Sequence, residues 1–176
     1  MTTELNQALT QVRQIGTFCD FFDRLDLPLP PFPITQDPVR AAGLNRDIWH
    51  GLGIVGLWAA LDAFRERRHP QAPGGKRRVG WLTSHLPQDL AAAVRELEDI
   101  RHLYAHNFGG VADDKYFRAG PQYKRYVFKQ DCSHRLSSDT GSSFDGKCLT
   151  LALDDLRFYI SQVEAILRHL DNVSTP

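Results

Sequence analysis

Hydrophobic residues recur at helical spacing in four long segments of this chain. The second segment is apolar on nearly every face, which is typical of a central, buried helix. No internal repeat is evident. The sequence therefore predicts an all-α fold, an antiparallel helical bundle of four main helices. The predicted helical segments are about Glu4–Leu25, Ile48–Phe64, Pro87–Asn107 and Asp154–Leu170.

Two stretches break the helical pattern. Residues 27–33 read Leu-Pro-Leu-Pro-Pro-Phe-Pro, and because proline disfavours both helix and sheet we expect an extended connector on the surface. Residues 111–150 are rich in Tyr, Phe and Val and contain a turn-rich tip at residues 137–143. They predict a small β-hairpin or irregular insert before the last helix. We expect residues 1–176 to form a single domain.

The second predicted helix carries three glycines, Gly51, Gly53 and Gly56. Each weakens a helix by roughly 1 kcal/mol relative to alanine. Their presence indicates that another helix, from this chain or from a second subunit, approaches closely there. Asn45 is a suitable N-cap for this helix, with Asp47 in the turn that follows.

Composition narrows the class of protein without identifying it. The chain has 176 residues, 21 basic and 21 acidic, so its overall charge does not indicate nucleic-acid binding, although a local basic patch can bind RNA. Three cysteines without CxxC spacing favour a reduced, cytoplasmic setting and imply no zinc knuckle. The N-terminal residues lack the features of a signal peptide, and no apolar run is long enough to span a membrane. We expect no membrane association.

The polar end of the third predicted helix carries the residues best suited to chemistry. Residues 98–107 read Glu-Asp-Ile-Arg-His-Leu-Tyr-Ala-His-Asn, with four residues between Arg101 and His106. Arginine holds phosphate in a fixed fork, and histidine carries a proton near neutral pH. The pair therefore indicates chemistry on a phosphodiester. The structural alternative makes Arg101 an ion-pair partner of Glu98, and His106 a histidine favoured at a helix C-terminus.

Helix geometry separates these two side chains. Arg101 and His106 lie about 140° apart around the helix axis and about 7.5 Å apart along it. This spacing does not suit one phosphate held by one chain. It favours a homodimer in which two copies of the helix face each other across a two-fold axis. Glu98, His102 and His106 share one stripe of the helix, which Arg101 borders.

This segment resembles the signature of the HEPN superfamily, an arginine followed a few residues later by a histidine at the end of a helix. Arg101 and His106 match it, with an Ala-His-Asn ending. HEPN domains are small helical domains found in prokaryotic defence systems, toxin–antitoxin pairs and RNA-processing enzymes. The resemblance implies a dimeric, metal-independent endoribonuclease without a cofactor. Some members carry a tyrosine two residues after the histidine, which a partner nucleotidyltransferase modifies; here that residue is Phe108.

The resemblance also implies roles for individual residues. The RNA 2′-hydroxyl would attack the adjacent phosphorus, leaving a 2′,3′-cyclic phosphate and a 5′-hydroxyl. His106 would act as general base or acid, and Arg101 would stabilise charge in the transition state. Asn107 would orient His106 or donate to a phosphate oxygen, and Glu98 would hold Arg101 or tune His102, otherwise a spectator. A toxin or anti-phage defence effector, with a neutralising partner protein, is the expected setting.

A basic stretch lies between the second and third predicted helices. Residues 65–78 end with Lys76, Arg77 and Arg78 and contain several further arginines. Such a stretch is often only solvated. The alternative is a patch that binds RNA phosphates, to which these three residues would contribute.

Two other functions stay open at the level of sequence. Glu98, His102 and His106 could hold a metal ion, since histidines four apart on a helix can share one. No second helix with acidic residues and histidines completes such a site, so we expect no metal. The other alternative is a non-catalytic HEPN-like module that binds RNA or protein, in which Arg101 and His106 only position the ligand.

Overall fold

The structure is a computed structural model that describes residues 1–24, 38–107, 110–111, 147–148, 151 and 153–173. Only the backbone is described for residues 38–48, 103, 106–107, 110–111 and 147–148. The predicted extended connector, and the predicted insert apart from its two ends, lie outside the described residues.

The described chain is almost entirely helical, which confirms the predicted all-α class. Four long helices dominate, as the hydrophobic pattern predicts. The sequence did not predict the short helix α3, because its seven residues are too few to show a helical repeat. A 3₁₀ turn, Gly75–Arg77, leads into it. The helices are α1 (Thr3–Arg24), α2 (Pro38–Arg68), α3 (Arg78–Ser84), α4 (Gln88–Asn107) and α5 (Leu153–Asp171).

Helices α1 and α2 are antiparallel neighbours. At one end of the pair, Arg67 donates a hydrogen bond to the side chain of Gln7. At the other end, the rings of Phe22 and Trp49 stack with their centroids 4.5 Å apart. The two contacts join the start of one helix to the end of the other, and the core of the interface lies between them.

Helix α5 also runs antiparallel to α1. Thr2, just before α1, donates from its hydroxyl to Asp171 in the last turn of α5. At the opposite end, Arg157 of α5 pairs with Asp20 of α1. Since α2 and α5 both oppose α1, these two helices run parallel to each other.

Helices α2 and α5 form the middle of the bundle. Both pack against α1 and against α4, and they also contact each other, so α1 and α4 lie on opposite sides of this pair. The largest fully buried side chains come from α2, α3, α4, α5 and the residue Leu151 that precedes α5, and they belong to one apolar core. They are Tyr159, Phe64, Ile54, Leu57, Leu61, Leu82, Leu97, Ile100, Leu151 and Leu156.

Two helix starts differ from the sequence prediction. Helix α2 begins at Pro38, so Asn45 lies inside the helix and is not its N-cap. Proline suits a first helical position, because the N–H it lacks would have no intrahelical partner there. Helix α5 begins at Leu153, which puts Asp154 in the first turn, where a carboxylate favours the helix dipole, and not at the cap.

The three glycines of α2 face neighbours from the same chain. A Cβ added at Gly51 would lie 1.9 Å from a ring carbon of Tyr104 in α4. A Cβ added at Gly53 would lie 2.9 Å from the sulfur of Cys19, and Gly56 also faces α1. The close helix approach that the sequence indicates therefore occurs within the chain and requires no second subunit.

The predicted insert begins and ends with two short antiparallel strands, β1 (Gly110–Val111) and β2 (Lys147–Cys148). Gly110 pairs with Cys148, and Val111 pairs with Lys147. Strand β1 packs against α4, so both ends of the insert lie near the C-terminal end of that helix.

Candidate functional site

Helix α4 carries the residues that the sequence singles out. Helix α4 begins at Gln88, so Pro87, the predicted first residue, immediately precedes it and accepts a backbone hydrogen bond from Ala91, while Asp89 lies in the first turn. The buried side of the helix faces α2 and α3, and the candidate polar residues border it. The buried stripe consists of Val94, Leu97, Ile100 and Tyr104.

The structure describes the side chains at the start of the motif but only the backbone at its end. Arg101 and His102 are described with their side chains. His106 and Asn107 lie in the last turn of α4, and only their backbone is described. The predicted pairing of Arg101 with His106 around a phosphate involves a side chain outside the described ones and stays a prediction.

Arg101 is fixed in place by Glu98, one helical turn earlier. Its Nε donates to Glu98 Oε2 over 2.9 Å, and its Nη2 donates to Oε1 over 3.1 Å. Two parallel bonds of this kind define both the position and the plane of a guanidinium. The Arg101 side chain is 18% exposed, so the group is partly shielded yet open to solvent on one side. Glu98 thus holds Arg101, one of the two roles suggested for it from the sequence.

His102 joins this pair. Nη2 of Arg101 lies 2.6 Å from His102 Nδ1. Because a guanidinium has only donors, Nδ1 must accept, and a neutral His102 then carries its proton on Nε2. The exposed imidazole is thus oriented by Arg101, which is in turn oriented by Glu98. A chain of polar contacts of this kind sets the tautomer of a histidine.

The structure brings Arg101 and Arg78 together on one tryptophan. The Cζ atom of Arg101 lies 5.8 Å from the ring centroid of Trp58, and that of Arg78 lies 5.2 Å from it. Both distances are within the range of cation–π attraction. Arg78 also pairs with Asp62, one turn beyond Trp58 on α2. Arg78, from the predicted basic patch, and Arg101, the predicted catalytic arginine, therefore both lie against the ring of Trp58.

Two buried N–H groups, one on Trp58 and one on Arg78, lack an acceptor among the described residues. Among the described residues, neither Trp58 Nε1 nor Arg78 Nε has a hydrogen-bond partner. The Trp58 side chain is 4% exposed. A buried donor without an acceptor costs about 1–3 kcal/mol and is uncommon in folded proteins.

Sequence reasoning missed Trp58 and Asp62. They lie four residues apart, and therefore on one face of α2. The sequence pattern that could have identified them is an acidic residue four positions after a tryptophan on a largely apolar helix. This pattern does not stand out, because Trp58 fits equally well into a run of buried apolar residues.

The remaining basic residues divide into exposed and structural ones. Lys76 and Arg77 lie in the 3₁₀ turn and are exposed. Arg65 is buried and donates from Nη1 to the carbonyls of Ala72 and Pro73, which fixes the connection after α2. The basic stretch is therefore not uniformly solvated, and only part of it is available to an external ligand.

A second set of polar residues lies between α1, α2 and α5. His50 is buried, with Nδ1 2.7 Å from the carbonyl of Leu151 and Nε2 3.5 Å from Asp23. Burial, with a smaller contribution from the charge of Asp20, raises the pKa of Cys19 to about 11. The Cys19 thiol therefore stays protonated near neutral pH and is no activated nucleophile.

An open groove runs along the outer side of α1 and α2. Its volume is about 650 Å³, and its walls are mainly apolar. Phe18 and Leu52 are among its lining residues and are about half exposed. None of the candidate residues on α4 lines it.

The described residues contain no group of three or more His, Cys, Asp or Glu side chains arranged to hold a metal ion. Within the same residues, no helix is long and apolar enough to cross a membrane. Comparisons with protein-family models, with curated proteins and with solved structures give no match.

Proposed function

We propose that this chain is a metal-independent endoribonuclease of the HEPN type, and that Arg101 binds the scissile phosphate. The observation that carries the proposal is the fixed guanidinium of Arg101. It donates two hydrogen bonds to Glu98, contacts His102, and lies near the ring of Trp58. A pre-positioned guanidinium costs little reorganisation when charge develops on a phosphate, which is what transition-state stabilisation requires.

The reaction is an internal transfer that consumes no water. The RNA 2′-oxygen forms a bond to phosphorus and loses its proton to a general base, and the bond from phosphorus to the 5′-oxygen breaks. A general acid supplies a proton to that leaving oxygen. The products are a 2′,3′-cyclic phosphate and a 5′-hydroxyl. His106 is the proposed base or acid, with Asn107 orienting it.

A homodimer completes the proposed site. Positions 101 and 106 lie about 140° apart around the axis of one helix. Two copies of α4 facing each other across a two-fold axis would bring the arginine of one chain near the histidine of the other. Light scattering is expected to report twice the chain mass, and a strictly monomeric protein that cleaves RNA would remove this part of the proposal.

The proposal is tested with two variants and two matched controls. We expect His106→Ala to reduce RNA cleavage by roughly 10²–10⁴-fold, the usual range for losing acid–base help. We expect Arg101→Ala to reduce it by roughly 10²–10³-fold, the range for losing one donor to the charge of the transition state. Arg95→Ala, an exposed arginine on the same helix, and His169→Ala, an exposed histidine on α5, should retain the wild-type rate. Circular dichroism and urea unfolding establish that all four variants remain folded. Cleavage at the wild-type rate by either site variant would overturn the catalytic assignment.

Two further measurements separate the proposal from its rivals. Cleavage should persist in EDTA, whereas strict dependence on added metal would favour a metal-dependent helical-bundle enzyme. The new 3′ ends should resist ligation until the cyclic phosphate is opened and the resulting phosphate is removed to leave a 3′-hydroxyl. In cells, expression of the wild type should be toxic and expression of His106→Ala should not, as expected for a toxin or defence effector. A neutralising partner would suppress that toxicity.

The second candidate is a non-catalytic module that binds RNA. One observation favours it: both guanidiniums near Trp58 are already ion-paired, Arg101 with Glu98 and Arg78 with Asp62. Paired arginines can position a ligand without taking part in chemistry. RNA binding by the wild type without cleavage, at any enzyme concentration, would establish this alternative.

A further inference from the structure

We infer that Trp58, Arg78 and Arg101 form a phosphate-binding site, in which the two guanidiniums and the indole N–H of Trp58 donate to one phosphate group. The identity of that phosphate as an RNA phosphodiester rests on the proposed function. The existence of the site does not, because it is argued from the unpaired donors and from the charges around Trp58.

The first argument is the pair of donors without acceptors. Trp58 Nε1 and Arg78 Nε are buried, and no described residue accepts from either. Both belong to side chains in direct contact with each other. Two such donors in one place indicate an acceptor that the described residues do not provide. The acceptor must reach them through a small movement of Arg78, whose side chain is 19% exposed.

The second argument is how the charges are arranged. Glu98 holds Arg101 through Nε and Nη2. Nη1 of Arg101 has no hydrogen-bond partner among the described residues. Asp62 accepts from Arg65 as well as from Arg78, so its negative charge is shared between two arginines. The three arginines of the cluster are balanced by Asp62, Glu66 and Glu98, and what the cluster retains for an additional anion is hydrogen-bond donors on both guanidiniums.

The third argument is the chemistry of the ligand. Arginine binds phosphate through paired N–H groups in a planar fork, and phosphate offers several acceptor oxygens to more than one fork. An indole N–H adds one further donor of fixed direction. Trp58 also keeps both guanidiniums near its ring, which limits their freedom before the ligand arrives. The site suits a phosphate monoester, a phosphodiester or inorganic phosphate.

The indole N–H of Trp58 gives a direct readout. The chain contains three tryptophans, so a ¹H–¹⁵N spectrum shows three indole signals, and Trp58→Phe identifies the one that belongs to Trp58. Inorganic phosphate is titrated into the full chain at constant ionic strength, with sodium chloride as the balancing salt. We expect the Trp58 signal to move downfield and saturate, because its proton gains an acceptor. The signals of Trp49 and Trp81 should not follow the same curve.

Arginine variants with matched controls test the composition of the site. Arg78→Gln and Arg101→Gln should each weaken phosphate binding on the order of tenfold, as expected for losing a charged hydrogen-bond partner. Arg95→Gln, exposed on α4, and Arg13→Gln, exposed on α1, should leave the affinity unchanged. If Arg78→Gln does not fold, the titration of the wild-type chain still decides whether the site exists.

A second ligand separates the sources of phosphate. A short RNA with 2′-O-methyl groups cannot be cleaved by attack of its own hydroxyl, and it should move the Trp58 signal and compete with inorganic phosphate. A shift with inorganic phosphate alone upholds the site and excludes RNA as its ligand. No saturable shift with either ligand overturns the inference, and a chain that then still cleaves RNA leaves the proposed function standing. Phosphate binding without RNA cleavage upholds the inferred site and contradicts the proposed function.

Discussion

Gly51 is the position at which a single added carbon should be most harmful. The space that a Cβ would occupy is already filled by the ring of Tyr104, whose Cδ1, Cε1 and Cγ atoms would lie 1.9, 2.2 and 2.3 Å away. Tyr104 is 3% exposed, so its ring cannot turn out into solvent to make room. We therefore expect Gly51→Ala to displace either the ring or helix α4.

The change in the free energy of unfolding that we expect for Gly51→Ala follows from two opposing effects. Inserting a carbon into a well-packed core costs about 1–3 kcal/mol, and contacts this short with a buried ring place Gly51→Ala at the upper end of that range. Alanine in place of glycine favours the helix by about 1 kcal/mol. The expected net loss is therefore about 2 kcal/mol in the free energy of unfolding.

Gly80 in α3 provides the matched control. A Cβ added there would meet no heavy atom within 4 Å, and the residue is exposed. Gly80→Ala should therefore keep only the gain in helix propensity and stabilise the protein by about 0.5–1 kcal/mol. Urea unfolding followed by circular dichroism measures both variants, with the slope of the transition checked for a constant value.

A double variant isolates the clash from other effects. With the ring removed in Tyr104→Ala, the further change Gly51→Ala should cost nothing or stabilise the helix. The coupling between the two positions should be on the order of 2–3 kcal/mol. If Gly51→Ala instead stabilises the wild-type background as much as Gly80→Ala does, the packing of α4 on α2 described above is wrong.

Three further predictions concern charge. Burial raises the pKa of Asp171, but hydrogen bonds from Thr2 and Arg68 outweigh it and leave the pKa below its ordinary value. Its stabilisation is present above the unfolded pKa and is lost as pH falls through the folded one, so Asp171→Asn should be destabilised at pH 7 and match the wild type in acid. Burial also lowers the pKa of His69, so stability should decline as pH falls below about 6.5, and His69→Gln should flatten that decline in unfolding measurements across pH. Changing both Lys76 and Arg77 to Glu should reduce the log–log salt slope of RNA binding by about 1.4 if both contact phosphates, and an unchanged slope would mean that the turn is only solvated.

The helical bundle was predictable because each long helix carries its own apolar repeat. The predicted ends of α1 and α4 agree with the structure within about two residues, the usual uncertainty of helix boundaries. The start of α2 was not predictable from Asn45, because a good N-cap residue also occurs inside helices. Helix α3 was missed because it is short and gains its stability from Leu82, which is buried against the rest of the core.

The candidate site was predictable only in part. A repeat along one helix identifies Glu98, Arg101 and His102 as neighbours, since contacts within a helix follow from spacing alone. The meeting of Arg78 and Arg101 on Trp58 depends on how three helices cross. No pattern along the chain encodes that crossing. The sequence therefore assigns Arg101 to the catalytic motif and Arg78 to a separate basic patch. The pairing of Arg101 with His106 stays a prediction.

The hydrogen bonds at the start of α1 have a consequence for how the molecule opens. Thr2 donates to Asp171 from both its hydroxyl and its backbone N–H, and Arg68 at the end of α2 bonds the same carboxylate. The first turn of one helix and the last turns of two others are thus tied at a single acceptor. Helix ends usually fray independently. Here the amide protons of these three ends should exchange with solvent as one cooperative unit.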